Sequence, residues 1–501
     1  MSKIVTLVSA AAARLLFLTA MAIAQTDPGL QTASPGIGLA IITPAKSVES
    51  QTSRSPLSYA ARTDQSEELH FLGRPADPLP NVGGLLGAGT VVADPDFGST
   101  IYRVTDYQTK CSVLGIYFPV FGSARGWAAD SSAFLVEAVY GVSCLMYWDG
   151  AAGKATLAPF SLNPTSAYVF SHSDPNALWE RAGTVINKVS IDRSTGTLSR
   201  TKLFDFLNDS HHCLPSGFKV GDAGLFEPSE DDTSFTLAYW ESQQGTGHDI
   251  VNYTVGKGCR HYDTQAGTID GDWGEIGQVN TTARFLLHQA ENTPNSVIAA
   301  LGPSTCLGTQ PCDRFNPFFW NVPTLDVVEC SHGCDGHGTY GIASRYANAK
   351  FRQHYYSNPA QPLREMNPPG LPSLVDLHPS WNNNDGADKP PFIVAVQHAS
   401  SNTFPMAVPF SGSHYNELIG VTTDDSHTVY RFAHTFASGW AAQYQPAYAM
   451  VNVSPDGRWA AWSSDWMQTL GCTDGTLGPC SNRSHQLIRS DIFIVDLTSA
   501  H

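Results

Sequence analysis

Val451 to Trp466 reads VNVSPDGRWAAWSSDW, a Ser-Pro-Asp-Gly turn that feeds an alternating run of aromatic and small residues. Proline presets one turn dihedral, glycine accepts a positive one, and apolar residues at period two suit a half-buried strand. The stretch therefore predicts a turn and then a strand. Upstream, Gly126 to Val136 (GWAADSSAFLV) and Phe226 to Trp240 (FEPSEDDTSFTLAYW) repeat the order of Asp-rich turn and apolar strand. Shorter echoes stand at Ser173 to Trp179 and Thr293 to Ala299.

Working outward, the same unit organises the chain from about His70 onward. Thr90 to Val104 reads strand, turn, strand around Asp94-Pro95 and Gly98. Ala133 to Tyr140 and Cys144 to Trp148 are strands of a second unit. Ile186 to Asp192, followed by Ser194-Thr195-Gly196, has the register of an outer hairpin. Later units run over Leu225 to Tyr253, Phe285 to Val328, Tyr340 to Tyr355, His378 to Val421, and Met450 to Leu497. This is about seven or eight units of roughly 40 to 60 residues, the period of a propeller blade. Radial repetition of four-stranded antiparallel sheets hides strand edges, so the expected fold is an all-β, seven-bladed β-propeller. A pair of β-sandwiches is the alternative; a parallel β-helix would repeat over shorter intervals. Either the strand Asp491 to Leu497, paired with early sequence, or terminal disulfides would close the ring.

Composition agrees with many short strands. The chain has 43 Gly and 32 Pro, 11% aromatic and only 15% charged residues, and no sustained helical periodicity. A formal net charge of −16 argues against a nucleic-acid partner, which needs clustered Lys and Arg. No G-x-S-x-G elbow, Walker loop, dinucleotide glycine fingerprint or H-E-x-x-H helix occurs, which sets aside serine hydrolase, nucleotide-enzyme and zincin chemistry.

Met1 to Ala24 joins Lys3, an apolar middle and Ala22-Ile23-Ala24, the pattern of a secretory signal peptide, although Arg14 interrupts the apolar run. A membrane anchor is the alternative, but the uninterrupted apolar part is shorter than the roughly 20 residues a bilayer needs. No later segment is apolar and long enough to span. Residues 25–67, rich in Ser, Thr, Pro and Ala, read as a flexible leader, with Ile37 to Ile42 a possible first strand; residues 68–501 form the propeller domain of an expected monomer. Ten cysteines in an exported chain, secreted or periplasmic, suggest disulfides. Proximity pairs Cys111 with Cys144, Cys213 with Cys259, Cys306 with Cys312, Cys330 with Cys334, and Cys472 with Cys480. Spacing does not fix connectivity, and Cys330 and Cys334 beside His332 and His337 also have spacing compatible with zinc.

The Ser454 to Trp462 pattern, with Trp127 to Val136 and Glu230 to Ala238 as variants, resembles the Asp-turn repeat of bacterial exported propellers related to the Tol-system periplasmic propeller. The Gly-His and Trp-Asp markers of WD repeats are absent in that arrangement. The resemblance implies a ligand, glycan or protein, bound where innermost strands converge on a central funnel.

Histidines supply the candidate chemistry. His288, His337, His378 and His434 fall in successive units, near points where an inner strand starts. Neutral imidazoles converging there, with Gln289, would suit a divalent transition metal; structural and surface roles are the alternative. The arrangement is similar to that of oligogalacturonate lyases, and the likeness implies His288, Gln289, His378 and His434 as ligands of a metal that neutralises a uronate carboxylate. β-Elimination needs a cation to stabilise the enolate and a base to take the proton. Arg431 is a candidate for the first role, and His337 or Tyr430 for the second. Glu417 and Arg431 also read as a cross-strand ion pair, or as part of a sugar groove with Trp381 and Trp440. Asp270 to Glu275 and Asn382 to Asp388 are candidate calcium loops or plain solvated turns, and neither follows the EF-hand pattern.

Overall fold

The computed structural model describes residues 57–59, 61, 63, 79–111, 117–119, 125–138, 142–208, 213–214, 223–229, 231–239, 249–263, 268–271, 284–289, 297–301, 317–321, 327–329, 338–339, 342–344, 351–353, 364–366, 376–383, 390–397, 414, 416–424, 426–438, 449–477, 480 and 487–499. Among the described residues every helix or strand element is a strand, and the strands form seven antiparallel sheets. The architecture is all-β. No helix among them is long and apolar enough to cross a membrane.

Six sheets are meanders of consecutive strands. The first spans residues 117–157, the second 167–205, the third 223–271, the fourth 284–329, the fifth 338–365 and the sixth 376–434. Neighbours in sequence pair because short polar turns return the chain at once, as Ser194-Thr195-Gly196 does between Val185–Asp192 and Thr197–Asp205. The seventh sheet is different. Val451–Val453, Trp459–Ser464 and Asp491–Asp496 are joined by Thr100–Arg103 and Val91–Ala93, with Ile101 opposite Val495 and Arg103 opposite Phe493. Asp491–Asp496 thus pairs with a strand from the early part of the chain.

The turn that heads the repeat is held in one way at two distant places. Ser454 Oγ donates to Asp456 Oδ1 at 2.5 Å and accepts from the Trp459 N–H at 2.9 Å, while Gly457 supplies a φ of 73°. Ser229 Oγ donates to Asp231 Oδ1 at 2.6 Å and accepts from the Ser234 N–H at 2.9 Å, with Asp232 at a φ of 57°. Serine ties the turn at both ends, so the strand that follows starts in a fixed register. These turns also bind other sheets. Asp232 accepts from Ser171 Oγ, Ser173 Oγ and Trp179 Nε1 of the second sheet at 2.6, 2.7 and 2.8 Å. The Asp456 N–H donates to Ser131 Oγ of the first sheet at 3.3 Å.

Apolar faces are buried between sheets rather than within one. One cluster joins the first three sheets through Leu135, Phe170, Trp179, Phe235 and Val251; another joins the sixth and seventh through Ile393, Phe432, Trp462 and Phe493. A third joins the first and seventh through Trp127, Phe134, Trp459 and Ile492. Trp127 Nε1 donates to the Asn452 carbonyl at 3.1 Å, and Asn382 Nδ2 donates to Asn452 Oδ1 at 2.9 Å, so residues beside the first and sixth sheets meet at the Val451–Val453 edge of the seventh. A Cβ at Gly126 would stand 2.8 Å from the Asn452 amide, which explains the glycine there.

Disulfides Cys111–Cys144, Cys213–Cys259 and Cys472–Cys480 are present as proximity predicts. Cys306, Cys312, Cys330 and Cys334 lie outside the described residues, as do Met1 to Ala24 and most of 25–67. Within that leader, Tyr59 packs on the sixth sheet, its ring 5.6 Å from Tyr430 and 5.5 Å from Phe432, and its hydroxyl donates to the Gly457 carbonyl at 3.2 Å. Burial pushes the Tyr59 phenol up to about 12.

Candidate functional site

A group of titratable side chains that could hold a metal lies where the hairpin of Val91–Ala93 and Thr100–Arg103 meets strand Val429–His434. The Asp94-to-Ser99 turn inserts Asp94, Asp96 and Phe97 against that strand. Asp94 Oδ1 accepts the N–H groups of Asp96 and Phe97 at 3.0 Å each, the usual way an Asp closes its own turn. Its Oδ2 accepts the His434 N–H at 2.7 Å, and the two oxygens stand 3.2 and 3.1 Å from His434 Nδ1. Asp96 Oδ2 lies 3.6 Å from His434 Nε2 on the other side of the ring. The imidazole is thus held between two carboxylates, with Phe97 packed on it at 4.9 Å.

A second pair adjoins it. Arg431 donates to Glu417 through Nε at 2.8 Å and Nη2 at 2.6 Å, a two-pronged bond between side chains that are 0% and 1% exposed. His414 Nδ1 stands 3.6 Å from the same carboxylate, and the Arg431 guanidinium lies 5.1 Å from the centre of the Phe97 ring. Burial works against every charge here, and the neighbours decide the outcome. Loss of hydration lowers the His434 pKa, but Asp94, by charge and hydrogen bond, together with Glu417 and Asp96, outweighs it and leaves the imidazole raised. Burial likewise raises Asp94, yet His434 and the backbone donors bring its carboxyl below the ordinary value. Glu417 is also lowered, with His414 and Arg431 overcoming desolvation.

Ligand atoms of Asp94, Asp96 and His434 all lie within 4.8 Å of one another, a spread that a divalent cation's coordination sphere matches. A cation bound there would compete with the imidazole proton. Of the histidines with metal-binding potential, only His434 belongs to this group. Its two acidic partners were visible in the sequence as turn residues, but nothing in local spacing joins position 94 to position 434.

The other expected site residues separate. His378 lies in strand Asp376–Ser380, at the opposite edge of the sixth sheet from Val429–His434. In register, His378 is opposite Ala395, Ala395 opposite Leu418, and Leu418 opposite Ala433. Three strand spacings, roughly 14 Å, stand between His378 and the row of His434, too far for one ion. His378 and His434 thus stand on opposite edges of one sheet. His288 and Gln289 lie in Arg284–Gln289, the first strand of the fourth sheet, as His378 does in the sixth. Trp381 is 2% exposed in the core with Met366 and Phe392, and its Nε1 donates to the Pro390 carbonyl at 2.8 Å. A buried indole offers no face to a sugar, and the same burial removes Glu417 and Arg431 from a groove or an enolate site; the cross-strand ion pair is what they form. Tyr430 is half-buried beside Tyr59. Asn382 and Asn383 are buried and bonded within the fold, Asn383 Nδ2 donating to the Pro391 carbonyl at 3.2 Å. His337, Trp440, the rest of that acidic loop and Asp272 to Glu275 lie outside the described residues.

Glu137 escaped the sequence reading. It lies in Ala133–Ala138 opposite Phe118 of the first strand of its sheet, and loss of hydration pushes its carboxyl up to about 7. The signal was there: Ala-Phe-Leu-Val-Glu-Ala is an apolar strand with one acid in it. A carboxyl poised near neutrality is a candidate acid or base.

No protein-family model matches the chain, and no curated protein matches it. Among solved structures it is similar to an oligogalacturonate lyase in complex with manganese, at 12% identity over 81% of this chain and 95% of that one, with a TM-score of 0.47. An oligogalacturonate lyase from Vibrio parahaemolyticus is similar at 11% identity, 81% and 96% coverage, and a TM-score of 0.46. TolB from Acinetobacter baumannii follows at 9% identity, 62% and 60% coverage, and a TM-score of 0.28. These are the two groups that the Ser454 turn and the histidines resemble. The residue roles above rest on geometry alone.

Proposed function

We propose that the seven sheets are the blades of a closed seven-bladed β-propeller, that the chain is exported, and that it binds a glycan or protein ligand at the funnel formed by the first strands. The observation that carries this reading is the seventh sheet, which takes Thr100–Arg103 and Asp491–Asp496 from opposite ends of the described chain. The bonds from Trp127 and Asn382 to Asn452 support convergence of first strands on one axis. Three disulfides and the apolar Met1 to Ala24 support export. Amino-terminal sequencing of protein secreted from a bacterial host should start at Gln25, and a glycan array with a parallel protein pull-down should return a saturable ligand. An intact cytoplasmic chain, or no ligand in either screen, would overturn the respective half of the reading.

A second reading, metal-assisted elimination on a uronate-containing glycan, is favoured by Glu137 and by the first-strand positions of His288, Gln289 and His378. A divalent cation held by those three would make the proton beside a uronate carboxyl more acidic. Glu137 would take that proton, a C=C bond would form as the glycosidic C–O bond breaks, and the leaving oxygen would be protonated. Incubation with uronate polysaccharides and a divalent metal should generate unsaturated ends, seen as ultraviolet absorbance, and Glu137→Gln should reduce the rate about 100-fold or more. No absorbance with any uronate polymer would end this reading and leave the binding reading standing.

A further inference from the structure

A buried group of opposite balance lies in the seventh sheet. Arg103, Arg489 and Asp491 are at most 1% exposed, and two guanidiniums share one carboxylate. Arg103 Nη2 donates to Asp491 Oδ2 at 2.6 Å, and Arg489 Nη2 donates to Asp491 Oδ1 at 2.5 Å. Thr105 Oγ1 also donates to Oδ1, at 3.1 Å. Arg103 is fully engaged: Nη1 donates to the carbonyls of Val82 and Gly84 at 2.7 and 2.5 Å, and Nε to that of Thr105 at 3.1 Å. Arg489 is not. Its Nε and Nη1 are buried and have no hydrogen-bond partner among the described residues.

Among the described residues, two positive charges against one negative leave a net charge of about +1 in this cluster, where an uncompensated ion is costly. The orphaned donors of Arg489 add a second, independent cost. Tyr107 offers partial relief, its ring centre 5.7 Å from the Arg489 guanidinium carbon. That half-buried ring also carries the exposed Lys110, whose ammonium lies 5.1 Å from its centre, so positive charge continues from Arg489 toward solvent. In a chain of net charge −16 this is a local reversal of sign.

We propose that Arg489 holds a small monovalent anion through Nε and Nη1, an acceptor of the size of chloride or formate. One such ion balances the cluster's charge and accepts from both orphaned nitrogens at once. The site is independent of the ligand proposed for the funnel.

Thermal unfolding of the full chain at fixed ionic strength tests it, with methanesulfonate as the background anion replaced stepwise by chloride or formate. Raising the small anion about 100-fold above its dissociation constant should raise Tm by roughly 2–3 °C. Arg489→Met, which leaves Asp491 paired with Arg103, should abolish the dependence while matching or exceeding the wild-type Tm in methanesulfonate. Broadening of the chloride-35 resonance by wild-type protein, reversed by bromide, gives a second reading that needs no variant. A Tm that ignores anion identity together with an unbroadened resonance overturns the proposal, and so does an Arg489→Met protein that keeps the full chloride response.

Discussion

Asp94 and Asp491 are both buried carboxylates that fasten the Val91–Arg103 hairpin, yet they do so with different chemistry. Asp491 faces two guanidiniums, groups that stay charged at every pH a protein survives. Asp94 faces His434, which titrates within the working range. The first contact joins strands of one sheet, and the second joins the seventh sheet to the sixth. One fastening is therefore built on permanent cations and the other on an imidazole.

The largest expected break is Asp491→Ala, which strands Arg103 and Arg489 without a counter-charge. Urea unfolding should show a loss of about 3–5 kcal/mol, unchanged between mildly acidic and mildly alkaline buffers. His434→Ala should cost less, about 2 kcal/mol, and its cost should vary with pH. Because the folded His434 pKa lies above the ordinary 6.5, the imidazolium's contribution is complete below that value and fades as pH rises through the folded one. Asp94 acts in the other direction: its folded pKa lies below 3.8, so its contribution is present above 3.8 and is lost as pH falls through the folded value. The gap between wild type and His434→Ala should be widest at weakly acidic pH and close on both sides. Asp96, Glu417, Arg431 and His414 share that pocket, so the profile reports the group and not one residue. A pH-independent gap would mean that His434 contributes packing alone.

Asp465 sharpens the contrast from within the stretch that heads the repeat. It is buried and accepts from the Ser438 N–H at 2.9 Å and from the Ser438 hydroxyl, and desolvation pushes its carboxyl up to about 6. Stability tied to its neutral form is complete below 3.8 and is lost as pH rises to about 6. Asp465→Asn imitates the neutral form, so it should gain roughly 1–2 kcal/mol at pH above about 6 and nothing in acid. The smallest effect belongs to Arg458, 45% exposed and 2.7 Å from the buried Asp496. Arg458→Ala should cost about 1 kcal/mol or less and should matter less as salt is added.

Legibility followed distance along the chain. Cys472 and Cys480 are eight residues apart and their bond was readable; Cys111 with Cys144, 33 residues apart, was reached only as a pairing of the cysteines that remained. The histidines failed as a set because successive units do not say which strand of a sheet a residue occupies. His378 lies at the first-strand edge and His434 at the other, though both are in one sheet. Trp381 failed for a related reason: an aromatic residue suits a sugar and a core equally, and only its burial decides.

By itself the sequence determined what is local: turns closed by Ser, Asp and Gly, and strands at period two. These follow from backbone dihedrals and side-chain bonds that reach only a few residues. Tertiary structure alone decided that Asp94 meets His434 across 340 positions, that Arg489 shares a carboxylate with Arg103, and that Glu137 stands half-buried opposite Phe118. Those are products of sheet-on-sheet packing, in which any two turns become neighbours without leaving a spacing to read.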